Sequence, residues 1–99
     1  MFTSQEKADY SGSIAVRDAS GSLQPFLRDK LLLSLHASLK HRQEAVKDAS
    51  ALVETVIARL LAQAQHSVIN DYNITTTAYL VLTRFDKAAA THYGAFHRL

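Results

Sequence analysis

Cationic side chains cluster around a predicted turn and helix start between residues 14 and 35. Arg17 precedes Gly21, which predicts the turn between two short strands, and Arg28 and Lys30 fall in the first turn of an amphipathic helix that follows. A helix N-terminus carries free N–H groups and positive potential, so cations beside it strengthen a site for a negatively charged group. The stretch therefore predicts that a polyanion, such as a nucleoside triphosphate, docks at this helix start.

The histidines and the other residue types that could bind a metal or catalyse a reaction do not occur at the spacings that these functions need. His36 and His41, like His92 and His97, are five residues apart, a spacing that spreads side chains around a helix instead of converging them on a metal. The chain has no cysteine, which excludes a disulfide framework and a thiolate zinc site. No pattern typical of a nucleophilic triad, paired catalytic carboxylates or a P-loop occurs. We therefore expect neither a resident metal ion nor catalysis.

Composition predicts one compact domain in a reducing compartment. The chain has 99 residues, of which 47% are hydrophobic, and a net charge of +2, values that are ordinary for a small globular protein. It shows no apolar signal segment near its start and no apolar run long enough to cross a membrane. We therefore expect a cytoplasmic protein that has no contact with the membrane.

The pattern of apolar and turn-forming residues predicts seven elements in the order ββααβαα. Residues 1–13 are polar and aperiodic, which predicts a flexible leader, and the domain then covers residues 14–99. In the hairpin, Pro25 belongs at an edge or at a strand end because it has no N–H to donate. Asp86 is a suitable N-cap for the last helix. The other predicted elements are helices over 29–42 and 45–64, a brief strand over 66–69 and a helix over 73–84.

Apolar residues at helical spacing predict the inward face of each helix. In chain order these faces are Leu31, Leu32, Leu35 and Leu39; Leu52, Val53, Val56, Ile57, Leu60 and Leu61; Ile74, Ala78, Val81, Leu82 and Phe85; and Ala89, Tyr93 and Phe96. We expect an α+β fold in which a four-helix bundle is capped by a small three-stranded β-sheet.

Three motifs occur in an order that resembles one known family. In chain order they are Ile14-Ala15-Val16-Arg17-Asp18 with Gly21, Pro25-Phe26 with Lys30 and Ser34-Leu35, and the stretch from Asp86 to Arg98. On these motifs residues 14–98 resemble the ATP-cone, the nucleotide-binding regulatory domain of ribonucleotide reductases and of the repressor of ribonucleotide reductase genes. The chain departs from the family's usual residues at Val16, Gln24, Leu27 and His92.

The resemblance implies a nucleotide site and a regulatory role. It implies that Arg17 and Lys30 contact phosphates, that Val16, Phe26 and Leu31 wall the adenine, that Gln24 bonds the base or sugar, and that His92 belongs to the site. The implied ligand is ATP or dATP with Mg²⁺, acting as an effector that is not hydrolysed. The implied role is control of ribonucleotide reductase activity or expression through nucleotide-dependent packing, with a second copy of the chain or a reductase catalytic subunit as partner.

Two other functions remain open at this point. The segment from residue 17 to residue 42 is locally basic, which is compatible with a small transcription regulator that binds nucleic acid. The departures at Val16, Gln24 and Leu27 are compatible with a degenerate cone that serves as a helical docking module and binds no nucleotide. Without the family resemblance, Phe26 and Leu31 are plain core residues, and Arg17 and Lys30 are plain solvated charges.

Overall fold

A computed structural model describes residues 14–64 and 68–97. Its elements, in chain order, are β1 (Ala15–Arg17), β2 (Leu23–Pro25), α1 (Arg28–Ser38), α2 (Ala45–Gln63), β3 (Val68–Asn70), α3 (Asp71–Phe85) and α4 (Lys87–Phe96). This order confirms the predicted α+β architecture. The expected leader over residues 1–13, and the first two residues of the expected third strand, lie outside the described residues.

The sheet places β1 at its centre. Its strand order is β2-β1-β3, with β2 antiparallel and β3 parallel to β1. The hairpin is closed by a hydrogen bond from the backbone N–H of Asp18 to the carbonyl of Ser22, 3.0 Å long. Gly21 has a positive φ, as predicted, with a value of 92°. Pro25 ends the edge strand β2, so its missing N–H costs the sheet nothing.

The four helices pack in a ring, in which α1 and α3 each contact both α2 and α4. The first helix is shorter than predicted and ends at Ser38, because the chain turns at Leu39, where the backbone N–H of Arg42 bonds the Leu39 carbonyl at 2.8 Å. No glycine or proline marks this end in the sequence. The third helix begins earlier than predicted, at Asp71. The hydroxyls of Thr75 and Thr76 both bond the Tyr72 carbonyl, which keeps their polar groups paired inside the first turns.

The hydrophobic core lies between the helices and under the sheet. Hydrophobic residues less than one-tenth exposed come from every helix and from the residues around the strands: Ile14, Phe26, Leu31, Leu35, Leu39, Ala49, Leu52, Val53, Val56, Ile57, Leu60, Ile69, Ala78, Val81, Leu82, Ala89, Ala90 and Tyr93. The helix α2 contributes six of its residues to this core, as its dense apolar pattern predicts. None of the helices in the described residues is long and apolar enough to span a bilayer.

Three residues predicted to face inward are exposed instead. Phe96 is 77% exposed and lies parallel to the His92 ring on the surface of α4. Phe85 is 40% exposed and covers the Arg42 guanidinium, which lies 4.5 Å from its ring centre. Leu61 is 42% exposed, because α2 is already buried through Leu60 and the next residue is rotated by about 100°. These positions correct the predicted inward faces.

Candidate functional site

One cavity lies where the hairpin, the first half of α1, the start of α3 and the end of α4 meet. Its volume is about 410 Å³, which falls within the range of small-molecule sites in proteins. The residues that line it are Val16, Asp18, Gln24, Pro25, Phe26, Leu27, Lys30, Leu31, Ser34, Asp71, Ile74, Thr75, Tyr93 and His97. Among the predicted site residues, the structure thus brings together Val16, Gln24, Phe26, Lys30 and Leu31.

An apolar wall forms one side of the cavity. Val16 reaches it from β1, Phe26 and Leu31 from the junction of β2 with α1, and Ile74 from α3. Phe26 and Leu31 are only 2% and 5% exposed, so they belong to the core and to the wall at the same time. Such a wall suits a flat, weakly polar ring, which needs apolar contact and few hydrogen bonds.

The cationic and dipolar groups lie at the helix starts. Lys30 lines the cavity from the first turn of α1. No side chain of the described residues caps the first N–H groups of α1 or of α3, so these groups stay available to an anion. Arg28 is held elsewhere, because its guanidinium bonds Glu54 on α2 at 2.7 Å. Of the two cations predicted in this turn, Lys30 is the one that faces the cavity.

Asp18 organises the hairpin beside the cavity. Its Oδ1 accepts hydrogen bonds from the Ser20 hydroxyl and from the backbone N–H groups of Ser20 and Ser22, and its Oδ2 accepts one from the Gln24 amide at 3.1 Å. These hydrogen bonds, that of the Ser20 hydroxyl foremost, lower the pKa of the Asp18 carboxyl. The bond to Gln24 engages that side chain through its amide nitrogen, so its Oε1 remains the free acceptor.

Arg17 lies on the other face of the sheet from Val16. Side chains alternate along a strand, so neighbouring residues in β1 cannot both face the helices. Val16 pairs with Gln24 and with Ile69, which is buried, whereas the partners of Arg17 are the exposed Leu23 and Asn70. The structure therefore separates Arg17 from the cavity that Val16, Gln24, Phe26, Lys30 and Leu31 line.

His92 also lies away from the cavity, whereas His97, on the same helix, lines it. The His92 Nδ1 lies 3.1 Å from the Ser38 hydroxyl at the far end of α1, and its ring stacks on Phe96. His97 lines the cavity together with Tyr93, four residues earlier on α4, and their ring centres are 3.9 Å apart. This pair was missed, although the i, i+4 spacing from the predicted inward residue Tyr93 is a signal that points to His97.

Tyr93 and Asp71 complete the polar part of the lining. Tyr93 is 1% exposed, and burial raises the pKa of its hydroxyl to about 12, with a further contribution from the Asp71 charge against the opposing effect of the Ser34 hydroxyl. Tyr93 is therefore a neutral hydrogen-bonding group in the physiological range. The lining also holds two carboxylates, those of Asp18 and Asp71, and the single ammonium group of Lys30.

A second polar cluster fixes the other end of α4. Asp86 caps this helix through the Ala89 N–H at 3.0 Å, as the sequence predicts, and also bonds His41 and Arg42 at 2.9 Å each. These contacts, led by the Ala89 N–H, hold the pKa of Asp86 well below its usual range. Arg42 bonds Asp48 of α2 as well. The cluster thereby ties the start of α4 to the turn between α1 and α2.

No protein-family model matches this chain, and no curated protein matches it in sequence.

Proposed function

We propose that this chain is an ATP-cone-like regulatory module that binds ATP and dATP in the cavity and does not hydrolyse them. The observation that carries the proposal is the convergence of Val16, Gln24, Phe26, Lys30 and Leu31 on one cavity. The resemblance to the ATP-cone implies that Val16, Phe26 and Leu31 wall the base, that Gln24 bonds the base or sugar and that Lys30 contacts a phosphate. In the structure these residues lie beside two helix starts that no side chain of the described residues caps.

The cavity divides into a part for the base and a part for the phosphates. Val16, Phe26 and Leu31 offer the base an apolar wall, and Gln24 offers a hydrogen-bond acceptor at its edge. Lys30 and the free N–H groups of the helix starts serve the phosphates. Mg²⁺ would be carried by the phosphates of the nucleotide, and Asp71 is the carboxylate at the start of α3 that such an ion would approach.

Regulation would follow from the position of the cavity between four parts of the fold. A ligand there contacts the hairpin, α1, α3 and α4 at once, so occupancy biases how these elements pack. ATP and dATP differ by a single hydroxyl, and they act differently only if that hydroxyl is bound better in one packing state than in the other. The module would pass this state on to a second copy or to a ribonucleotide reductase subunit, in the cytoplasm.

The proposal is tested by calorimetry with ATP and with dATP, each with Mg²⁺, on the wild-type chain and on Lys30→Ala. Lys40→Ala is the matched control, because Lys40 is also exposed and lies just beyond the other end of α1. We expect Lys30→Ala to weaken binding by about tenfold, the usual loss for one charge-assisted phosphate contact, and Lys40→Ala to leave it unchanged. Absence of binding by the wild-type chain at about 1 mM nucleotide would refute the proposal.

A docking module that binds no nucleotide is the second candidate, and the exposed aromatic end of α4 is the observation that favours it. Phe96 is 77% exposed, which is unusual for a phenylalanine on an otherwise amphipathic helix. In this case the chain self-associates without nucleotide, and Phe96→Ser abolishes the association. Sedimentation velocity with and without ATP separates the two candidates, because only the first requires the association state to depend on the nucleotide.

A further inference from the structure

His97 lines the cavity, and the hydrogen bond that its ring makes decides which ring nitrogen is free. The Nδ1 atom lies 2.9 Å from the Tyr93 carbonyl oxygen. A carbonyl oxygen only accepts, so Nδ1 is the nitrogen that carries the hydrogen in this contact. The neutral ring therefore has no hydrogen on Nε2, and the nitrogen left for the cavity is an acceptor.

A phosphate oxygen is also an acceptor, so it cannot bond the neutral ring at Nε2. Addition of a proton from solvent to Nε2 changes this, because the ring then donates from both nitrogens and carries a positive charge. Resting on the nucleotide-binding function proposed above, we infer that His97 contacts the phosphates only as an imidazolium, so that nucleotide binding takes up a proton at its Nε2.

Four other polar or titratable groups line the cavity together with the His97 ring. They are Asp18 from the hairpin, Lys30 from α1, Asp71 from α3 and Tyr93 from the same helix as His97. Two of these groups are carboxylates, Lys30 is a cation, and the Tyr93 hydroxyl is neutral. His97 is also the C-cap of α4, where the negative end of the helix dipole favours a cation.

The charge balance of the cavity explains why a second cation is needed. The lining carries the carboxylates of Asp18 and Asp71 and the ammonium group of Lys30, and Arg17 lies on the opposite face of the sheet. A triphosphate therefore enters a cavity whose fixed charges do not balance it. Proton uptake at His97 adds the missing positive charge at the moment of binding, which makes the affinity for the nucleotide depend on pH.

The test is calorimetry of ATP with Mg²⁺ at about pH 6 and about pH 8, a range that spans the ordinary titration of histidine. Each titration is run in two buffers of different ionisation enthalpy, so that the protons taken up are counted directly. His97→Asn is the informative variant, because its amide nitrogen keeps the bond to the Tyr93 carbonyl and cannot titrate. His92→Asn is the matched control on the same helix outside the cavity.

We expect the affinity of the wild-type chain to fall between the two pH values by on the order of tenfold more than that of His97→Asn, which is the effect of one linked proton. The terminal phosphate of ATP titrates in the same range, but it does so with both proteins and cancels from the difference. His92→Asn should follow the wild type, and adenosine, which has no phosphate, should show no difference between wild type and His97→Asn.

Equal pH dependence in the wild type and in His97→Asn would overturn the inference and leave the nucleotide-binding proposal standing. Failure of ATP to bind the wild-type chain at either pH would instead overturn nucleotide binding itself, and the His97 inference with it. Proton NMR signals of the imidazole rings in the wild-type chain provide the second measurement. Addition of ATP at about pH 7 should shift the His97 signals toward the charged form and leave the His92 signals unchanged, and the reverse pattern would also overturn the inference.

Discussion

A comparison of two leucines on α1 tests whether the cavity wall binds the nucleotide or is only part of the core. Leu31 and Leu35 are one helical turn apart, and both are buried, at 5% and 0% exposure. Leu31 lines the cavity, whereas Leu35 is not among its lining residues. We therefore expect Leu31→Ala and Leu35→Ala to differ both in stability and in nucleotide binding, although the chemical change is the same.

The difference in stability follows from what each alanine leaves behind. Replacing a buried leucine by alanine costs about 2–5 kcal/mol, and the cost grows with the closed cavity that remains. Leu35 is fully enclosed, so we expect its replacement to cost about 3–5 kcal/mol, in the upper part of this range. Leu31 already borders an open cavity and leaves no new closed void, so its loss should be about 2–3 kcal/mol.

Urea unfolding followed by circular dichroism measures these losses as shifts in midpoint at constant slope. A chain of this size has a stability of about 5–15 kcal/mol, so both variants are measured at low temperature. Calorimetry with ATP then gives the second quantity. We expect Leu31→Ala to weaken nucleotide binding by about tenfold, the loss for one well-packed apolar side chain, and Leu35→Ala to weaken it by less than about twofold once only folded protein is counted.

The result that refutes this reasoning is equal behaviour of the two variants. If Leu31→Ala costs as much stability as Leu35→Ala and has no larger effect on nucleotide affinity, Leu31 is an ordinary core residue. The assignment of Val16, Phe26 and Leu31 as the wall for the base would then lose its support.

Three further predictions concern the hairpin, the cap of α4 and the outward face of β1. Gly21→Ala should lower the free energy of unfolding by about 1 kcal/mol, because φ is 92° at this position and an alanine is strained there. Gly21→Asn should lower it by less, since asparagine tolerates a positive φ better, and thermal unfolding of the two variants measures the difference. Asp86→Asn keeps a capping acceptor but removes the charge that bonds His41 and Arg42. The folded-state pKa of Asp86 lies below the ordinary 3.8, so the carboxylate stabilises the fold fully above that pH and progressively less as the pH falls below it. The wild type should therefore lose more stability between about pH 5 and about pH 2 than Asp86→Asn does. Parallel curves for the two proteins would show that the Asp86 charge contributes nothing to the stability. Arg17→Ala should change ATP affinity by less than about twofold, and the double variant with Lys30→Ala should bind no more weakly than Lys30→Ala alone. A large additional loss in the double variant would place Arg17 at the phosphates after all.

Much of the fold follows from short-range patterns. The order ββααβαα follows from the apolar and turn-forming pattern of each segment, and the positive φ of Gly21, the strand-end position of Pro25 and the Asp86 cap each follow from one residue and its near neighbours. The end of α1 at Ser38 was not predictable in this way, because no glycine or proline marks the turn in which the Arg42 N–H bonds the Leu39 carbonyl. The Arg42 side chain after this turn bonds Asp48 and Asp86, two partners from later in the chain.

The site shows the same division between local pattern and tertiary contact. Phe26, Lys30 and Leu31 lie together because they follow one another through a strand end and a helix start. Arg17 could have been placed correctly from the alternation of β1, since Val16 and its neighbour must face opposite sides. The i, i+4 spacing places His97 on the same face of α4 as Tyr93, but distant packing sets which part of that face borders the cavity.

The amino-acid sequence by itself determined which segments become strands and helices and which of them carry apolar faces, because propensity, capping and periodicity act over a few residues. Tertiary structure alone decided which polar side chains meet. It turned Lys30 and His97 toward one cavity, left Phe96 on the surface and joined His41 to Asp86. These choices depend on how four helices and a sheet rotate and slide against one another to bury their apolar faces, and that energy is summed over the whole core.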